Sequence, residues 1–427
     1  MKRAAPHGRK RERLQLPARV ASFADSLSLL RTRRFGTFCF ASLLSNLGTW
    51  AQQVAEPWLL LSLGASSFLI GLDSFAMAAP VWILTLLGGV LADWADRRRI
   101  IAICQSIQML CPALLVVLLL THSVQPWMVI GLSLVVGVTD ALSMPSFQSI
   151  VPSIVERRQI ASALALNATQ FNLSRILGPA LAGILMASLG AIGCFALNAA
   201  SYVPFIWVAL WILPHGKPSK AKAAFDRHHL FAGLREIART PHLRGALATV
   251  LLTSTFCAPL IVFCPVLVKH ALQGDVRDFS LAIGAFGAGG LLGAIALLGV
   301  DPAVDRRRLS FWFAAGYGLV LLLVALNPWI AALPVLLVFA GVSMSVSNTS
   351  ANALLQSAAL PRLRGQTVSL YMLALRGGVS IGSLVTGISV SLLGVRYALA
   401  VNGALAIAAQ VTVGREWLRS PPRILAP

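Results

Sequence analysis

Charge is scarce in this chain. Only 12% of its 427 residues are Asp, Glu, Lys or Arg, where a soluble domain carries about 25%. Acids are the scarcer kind, 15 against 35 bases. Together with 57% hydrophobic residues and a mean hydropathy of +0.78, this excludes a soluble globular protein. The six cysteines (Cys39, Cys104, Cys111, Cys194, Cys257, Cys264) form no CxxC pair and all fall in apolar runs. Neither a zinc site nor a disulfide framework is signalled. No glycine-rich phosphate loop is present, so ATP-driven chemistry has no support. The seven histidines show no ligand spacing, and no nucleophile stands beside a base. No metal, cofactor or enzymatic activity is expected. Residues 1–34 hold no apolar core before a cleavage site, so no removable leader is expected and the first apolar run serves for targeting.

What the chain does have is long apolar runs. A membrane helix needs about 20 such residues. Twelve spans are expected, near 35–63, 67–92, 99–121, 126–150, 161–187, 191–213, 245–271, 279–299, 309–327, 331–354, 366–393 and 396–414. Five segments follow: a basic arm 1–34, a six-helix bundle 35–213, a linker 214–243, a second bundle 244–414 and a tail 415–427. The linker from His229 to Arg239 reads as a short surface helix, and the arm from Ser22 to Arg34 as a solvated topology signal that could instead lie as an amphipathic helix on the membrane.

The bases test this layout. With twelve spans both termini share a side, and that side receives 30 of the 35 Lys and Arg. The opposite loops hold only Lys269, Arg277 and Arg396. The positive-inside rule makes the rich side cytoplasmic. The formal charge of +20 is then a topology signal, and nucleic-acid binding is not needed.

The two halves repeat. Asp96-Arg97-Arg98-Arg99 recurs as Asp305-Arg306-Arg307-Arg308, and Gln148-Ser149 as Gln356-Ser357. Duplicated six-helix units are a signature of secondary transporters.

On these residues the chain resembles the major facilitator superfamily. Gly89, Leu91, Ala92, Asp93, Arg97 and Arg98 match that family's loop between helices 2 and 3, with Trp94 and Asp96 departing from it. Finer segments, Leu44–Trp50, Ile160–Asn167, Ser174–Gly183 and Leu197–Ser201, resemble its enterobactin-exporter-like branch, the transmembrane secretion effectors. Gly178-Pro179 with Gly183 is similar to the helix-5 signature of antiporters, with Ser174 and Ala182 replacing two of its glycines.

The resemblance implies an all-α fold of two pseudo-symmetric six-helix bundles that works by alternating access. It implies proton-coupled efflux of a small organic molecule: a siderophore, a secondary metabolite or a hydrophobic drug. A lipid flippase or importer on the same fold, and a non-transporting sensor, are the alternatives. A bacterial inner membrane and a monomer are expected. Gly89, Asp93, Arg97 and Arg98 are then a gating latch, with Asp93 facing a helix N-terminus.

Charges inside spans are costly and point to function. Three acids lie there: Glu56, Asp140 and, nearer the outer surface, Asp73. All are proton-coupling candidates. Asp140 could instead pair with Arg175. Arg376 has no intramembrane acid nearby in sequence, and could face the cavity or snorkel to the surface. Asn46, Trp50, Gln53, Arg175 and Arg376 are the cavity candidates.

Overall fold

The computed structural model describes residues 28–156, 159–214, 240–301, 304–358 and 364–419. Within these ranges a few helix side chains, those of residues 88–90 and 92–94 among them, also lie outside the described set. The expected surface helix at 229–239 and residues 22–27 of the arm fall outside it. Among the described residues every regular element is a helix.

The first half contains α1 (Arg33–Ser62), α2 (Ser67–Trp94), α3 (Arg97–Leu120) and α4 (Pro126–Ile150). The helical stretch Ile160–Trp211 is two antiparallel spans, α5 (160–189) and α6 (191–211). They meet at Gly190, whose φ of 66° and ψ of −163° break the helix. A left-handed φ favours glycine because no Cβ resists it. Gly394, φ 83°, makes the matching turn in the second half.

That half runs through α7 (Pro241–Phe256, resuming at Pro259–Val266), α8 (Val276–Leu298) and α9 (Arg306–Leu326). It closes with α10 (Leu333–Ala358), α11 (Arg364–Leu393) and α12 (Val395–Arg419). The expectation treated α7 as one unbroken span. Pro259 and Pro265 each lack a backbone N–H, and α7 is interrupted before Pro259 and ends in a π-helical turn at Leu267–Ala271.

Ten helices among the described residues are long and apolar enough to cross a membrane. One of these is the α5–α6 pair, which counts twice. α1 is the twelfth span. Ser45, Gln52 and Glu56 add polarity along it, yet all three are buried in protein.

The repeat has a physical basis at the basic end. Asp96 Oδ1 accepts the Arg98 N–H at 3.1 Å, and Asp305 Oδ1 accepts the Arg307 N–H at 2.9 Å. Each aspartate satisfies an orphan donor at a helix start, the role of an N-cap. At Asp305, burial pushes the carboxyl up, but hydrogen bonds from the Arg307 side chain and backbone outweigh it and hold the group below its ordinary value. Trp211 and Trp312 near the basic end, and Trp127 and Trp329 near the other, are strongly exposed. They form two belts at the depth where indole rings favour the membrane interface.

The core is divided unevenly. One apolar cluster at the charge-poor end draws on both halves, from Ala51 to Leu61 on α1 through Phe263 on α7 to Leu399 on α12. Trp58 stacks on Phe279 across the two halves with centroids 4.8 Å apart. At the basic end the apolar residues fall into two separate clusters, Leu29 to Leu213 and Leu243 to Trp417. The halves are therefore sealed together at the charge-poor end and part toward the basic end.

Candidate functional site

Between the halves lies a cavity of about 220 Å³, lined by residues of both. Asn46, Trp50 and Gln53 from α1, Arg175 from α5 and Arg376 from α11 all reach it, as the sequence suggested. So do Glu56 and Asp73. Trp50 meets Phe171 edge-on, with centroids 6.1 Å apart, giving the cavity an aromatic wall.

The two acids form one unit. Each lies six residues from its helix end, about 9 Å deep at 1.5 Å per residue. Glu56 is 4% exposed and Asp73 3%, so neither meets bulk water. Their charges act on each other, and the Ser133 hydroxyl of α4 lies between them, 3.5 Å from Glu56 Oε1 and within reach of Asp73. Asp73 Oδ1 has no hydrogen-bond partner among the described residues. The sequence placed Asp73 near the outer surface. The apolar seal over the charge-poor end makes it an interior group instead.

A relay of amides holds Glu56. Asn198 Nδ2 of α6 donates to Gln52 Oε1 at 2.6 Å, and Gln52 Nε2 donates to Glu56 Oε1 at 2.8 Å. Because the Gln52 oxygen is occupied, its nitrogen faces the carboxylate, which accepts a neutral donor rather than a cation. Asn198 and Ser133 were not among the sequence candidates. An amide in an apolar run is a signal, but the partner of Gln52, 146 positions away, is not visible in sequence.

Asp140 is placed differently. Its carboxylate pairs with Arg376 of α11, not with Arg175. Asp140 is ten residues from the basic end of α4 and Arg376 twelve from that of α11, both about 15–18 Å deep. The pair crosses from one half to the other because α2 and α11 bring the halves together at this depth, as Gly377 against Trp82 illustrates. Arg376, which had no expected acid, thus has one 236 residues away.

Arg175 is left with a buried guanidinium. It is 5% exposed, and its Nε and Nη1 have no partner among the described residues.

The helix-5 glycines act as close-approach points. A methyl at Gly178 would stand 2.3 Å from Trp50 Cβ, within the first half. One at Gly183 would stand 2.6 Å from the Ser280 carbonyl of α8, across the seam. In the loop motif, Arg98 Nη1 donates to the Leu210 carbonyl at the end of α6 at 2.8 Å. Arg97 also makes an interaction within the protein. Gly89 lies within α2, and the Asp93 side chain is outside the described set.

A family model described as "transmembrane secretion effector" matches residues 24–421. The chain belongs to that family. This transmembrane secretion effector is 24% identical to the staphyloferrin A transporter of Staphylococcus aureus, over 86% of the chain and 92% of that relative. It is 25% identical to the multidrug efflux pump Tap of Mycolicibacterium fortuitum, over 77% and 82%. With the enterobactin exporter EntS of Shigella boydii the identity is 24%, over 95% and 98%. The crystal structure of the nucleoside transporter NupG has the same fold, with a TM-score of 0.68 at 12% identity, over 91% of this chain and all of that one. The effector is a multi-pass membrane transporter of the major facilitator type.

Proposed function

We propose that this transporter exports a small organic molecule, a siderophore, secondary metabolite or hydrophobic drug, in exchange for protons. The carrying observation is the Glu56–Asp73 pair. Two carboxylates share one buried pocket on the cavity wall, their hydrogen-bonding neighbours among the described residues are neutral, and the end of the protein above them is sealed. A buried carboxylate couples transport to protons when access alternates, because its solvation changes between the two states. With the basic end cytoplasmic, as its 30 Lys and Arg argue, this conformation faces inward. The pair then releases its proton to the cytoplasm as substrate enters.

In this reading the bundles 35–213 and 244–414 rock about the cavity, and the linker 214–243 joins them on the inner side. Both termini are cytoplasmic, the membrane is a bacterial inner membrane, and the working unit is a monomer. The Asp140–Arg376 pair is an inner tie between the halves, so coupling rests on Glu56 and Asp73 and no longer on Asp140. The names of the relatives support the substrate class.

Everted membrane vesicles test the direction. After acidification of the lumen, adding a transported siderophore or drug dissipates the pH gradient and the compound accumulates inside. Accumulation that alkalinises the medium around the vesicles, as proton symport would, or uptake only in right-side-out vesicles, refutes export by antiport.

A further inference from the structure

The cavity contains more unpaired polar atoms than a packed interior tolerates. Buried donors and acceptors are nearly always satisfied, and each exception calls for an explanation. Four residues of this cavity wall carry such atoms. Arg175 offers Nε and Nη1, Tyr317 its hydroxyl, Asn348 its Oδ1 and Asp73 its Oδ1, none with a partner among the described residues. Tyr317 is 1% exposed and Asn348 5%. An uncompensated buried charge is the costliest of these, and the Arg175 guanidinium, always protonated, carries one. No ion pair joins Arg175 to Glu56 or Asp73 among the described residues.

The groups sort by chemistry. Arg175 is close enough to Tyr317 for its charge to act on that hydroxyl. Its planar fork matches a carboxylate or another bidentate oxyanion. Tyr317 adds a further donor and Asn348 Oδ1 an acceptor, both from the second half. Asp73, beside Glu56 on the first half, can only accept while ionised. Trp50 and Phe171 supply an apolar face for the body of the ligand.

From these atoms, and resting on the reading of the protein as a transporter, we propose that the cavity is built for an amphoteric substrate. The oxyanion of that substrate binds Arg175 with Tyr317, its cationic donor end binds Asp73, and Asn348 Oδ1 accepts a further donor of the substrate. The assignment also specifies the exchange. A cationic group at Asp73 takes the position a proton occupies in the empty carrier, so the two compete, as antiport requires. A purely anionic ligand has no such competition, since a proton on the acids would favour it.

Equilibrium binding to the purified full-length protein, by calorimetry without any gradient, tests this with three matched probes. Phenylalanine carries both charges, 3-phenylpropanoate only the carboxylate and phenethylamine only the ammonium. Phenylalanine should bind at least tenfold tighter than either of the others. Arg175→Gln should weaken phenylalanine and 3-phenylpropanoate tenfold or more and leave phenethylamine within twofold. Asp73→Asn should do the reverse. Tyr317→Phe, a milder change that keeps the packing, should weaken 3-phenylpropanoate severalfold and spare phenethylamine. Phenethylamine binding as tightly as phenylalanine, carboxylate affinity unchanged in Arg175→Gln and Tyr317→Phe, or no binding of any probe overturns the proposal. Selective binding without gradient-driven flux would instead refute proton-coupled export and leave this assignment standing.

Discussion

Adding one methyl group at Gly183 should move the two halves of the protein relative to each other. A Cβ there stands 2.6 Å from the Ser280 carbonyl and 2.9 Å from the Gly284 nitrogen, both backbone atoms of α8. It falls about 0.8 Å short of ordinary contact, and backbone cannot rotate away as a side chain would. Gly287 faces Ala180 one turn along the same seam, so tilting the helices within the seam offers no relief. Overpacking of this kind costs about 1–3 kcal/mol. The cost falls only on the state in which α5 and α8 touch at this depth, the one sealed at the charge-poor end. At about 1.4 kcal/mol per tenfold, Gly183→Ala should shift the conformational equilibrium about 5- to 150-fold toward the opposite state. Spin labels at Ser153→Cys and Val304→Cys, exposed positions at the basic ends of the two halves, report that shift as a shorter distance. The six native cysteines are buried and give little background. An unchanged distance distribution in a folded Gly183→Ala protein would refute the seam as a determinant of which side is closed.

Three further outcomes are expected. Asp140→Asn strips Arg376 of its partner across the halves and should weaken the tie by about 0.2–1 kcal/mol for a partly exposed pair. The exchange Asp140→Arg with Arg376→Asp should restore the wild-type distance distribution, whereas a merely local role gives no rescue. Asp305 is held below its ordinary value near 3.8, so its contribution is complete above that pH and is lost as pH falls through the folded value. Asp305→Asn should accordingly flatten the loss of thermal stability below about pH 4 and change the melting temperature most near neutrality. Asp93→Asn, in the proposed latch, should cut transport while membrane insertion stays normal. Normal turnover would reduce that loop to a topology signal.

The sequence revealed what repeats or alternates along the chain. Apolar runs located the spans to within a few residues, and the spacing of Asp96 and Asp305 revealed the duplication that the structure explains as matching helix caps. Runs and spacings are local. The break in α7 was signalled by Pro259 and Pro265 but overlooked, because hydropathy continues smoothly through it. The site was half legible. An intramembrane acid or base is costly enough to stand out, so Glu56, Asp73, Asp140, Arg175 and Arg376 were found as individuals. Their pairing was not, since partners lie up to 236 positions apart and depend on how the halves dock. Asp140 was weighed as a coupling acid or a partner of the nearer Arg175, and Asp73 was placed near the surface because depth along a helix says nothing of the cap packed above it. Asn198 and Ser133 carry no charge and were lost among ordinary packing residues.

Gradient-driven flux in proteoliposomes, compared with counterflow exchange of the same substrate, tests the Glu56–Asp73 pair most directly. Glu56→Gln and Asp73→Asn keep the size and hydrogen bonding of the site but remove one titrating carboxylate each. Each should abolish the response to an imposed proton gradient, and Glu56→Gln should retain energy-independent exchange. Gradient-driven transport at the wild-type rate in both variants would contradict the assignment of coupling to this pair.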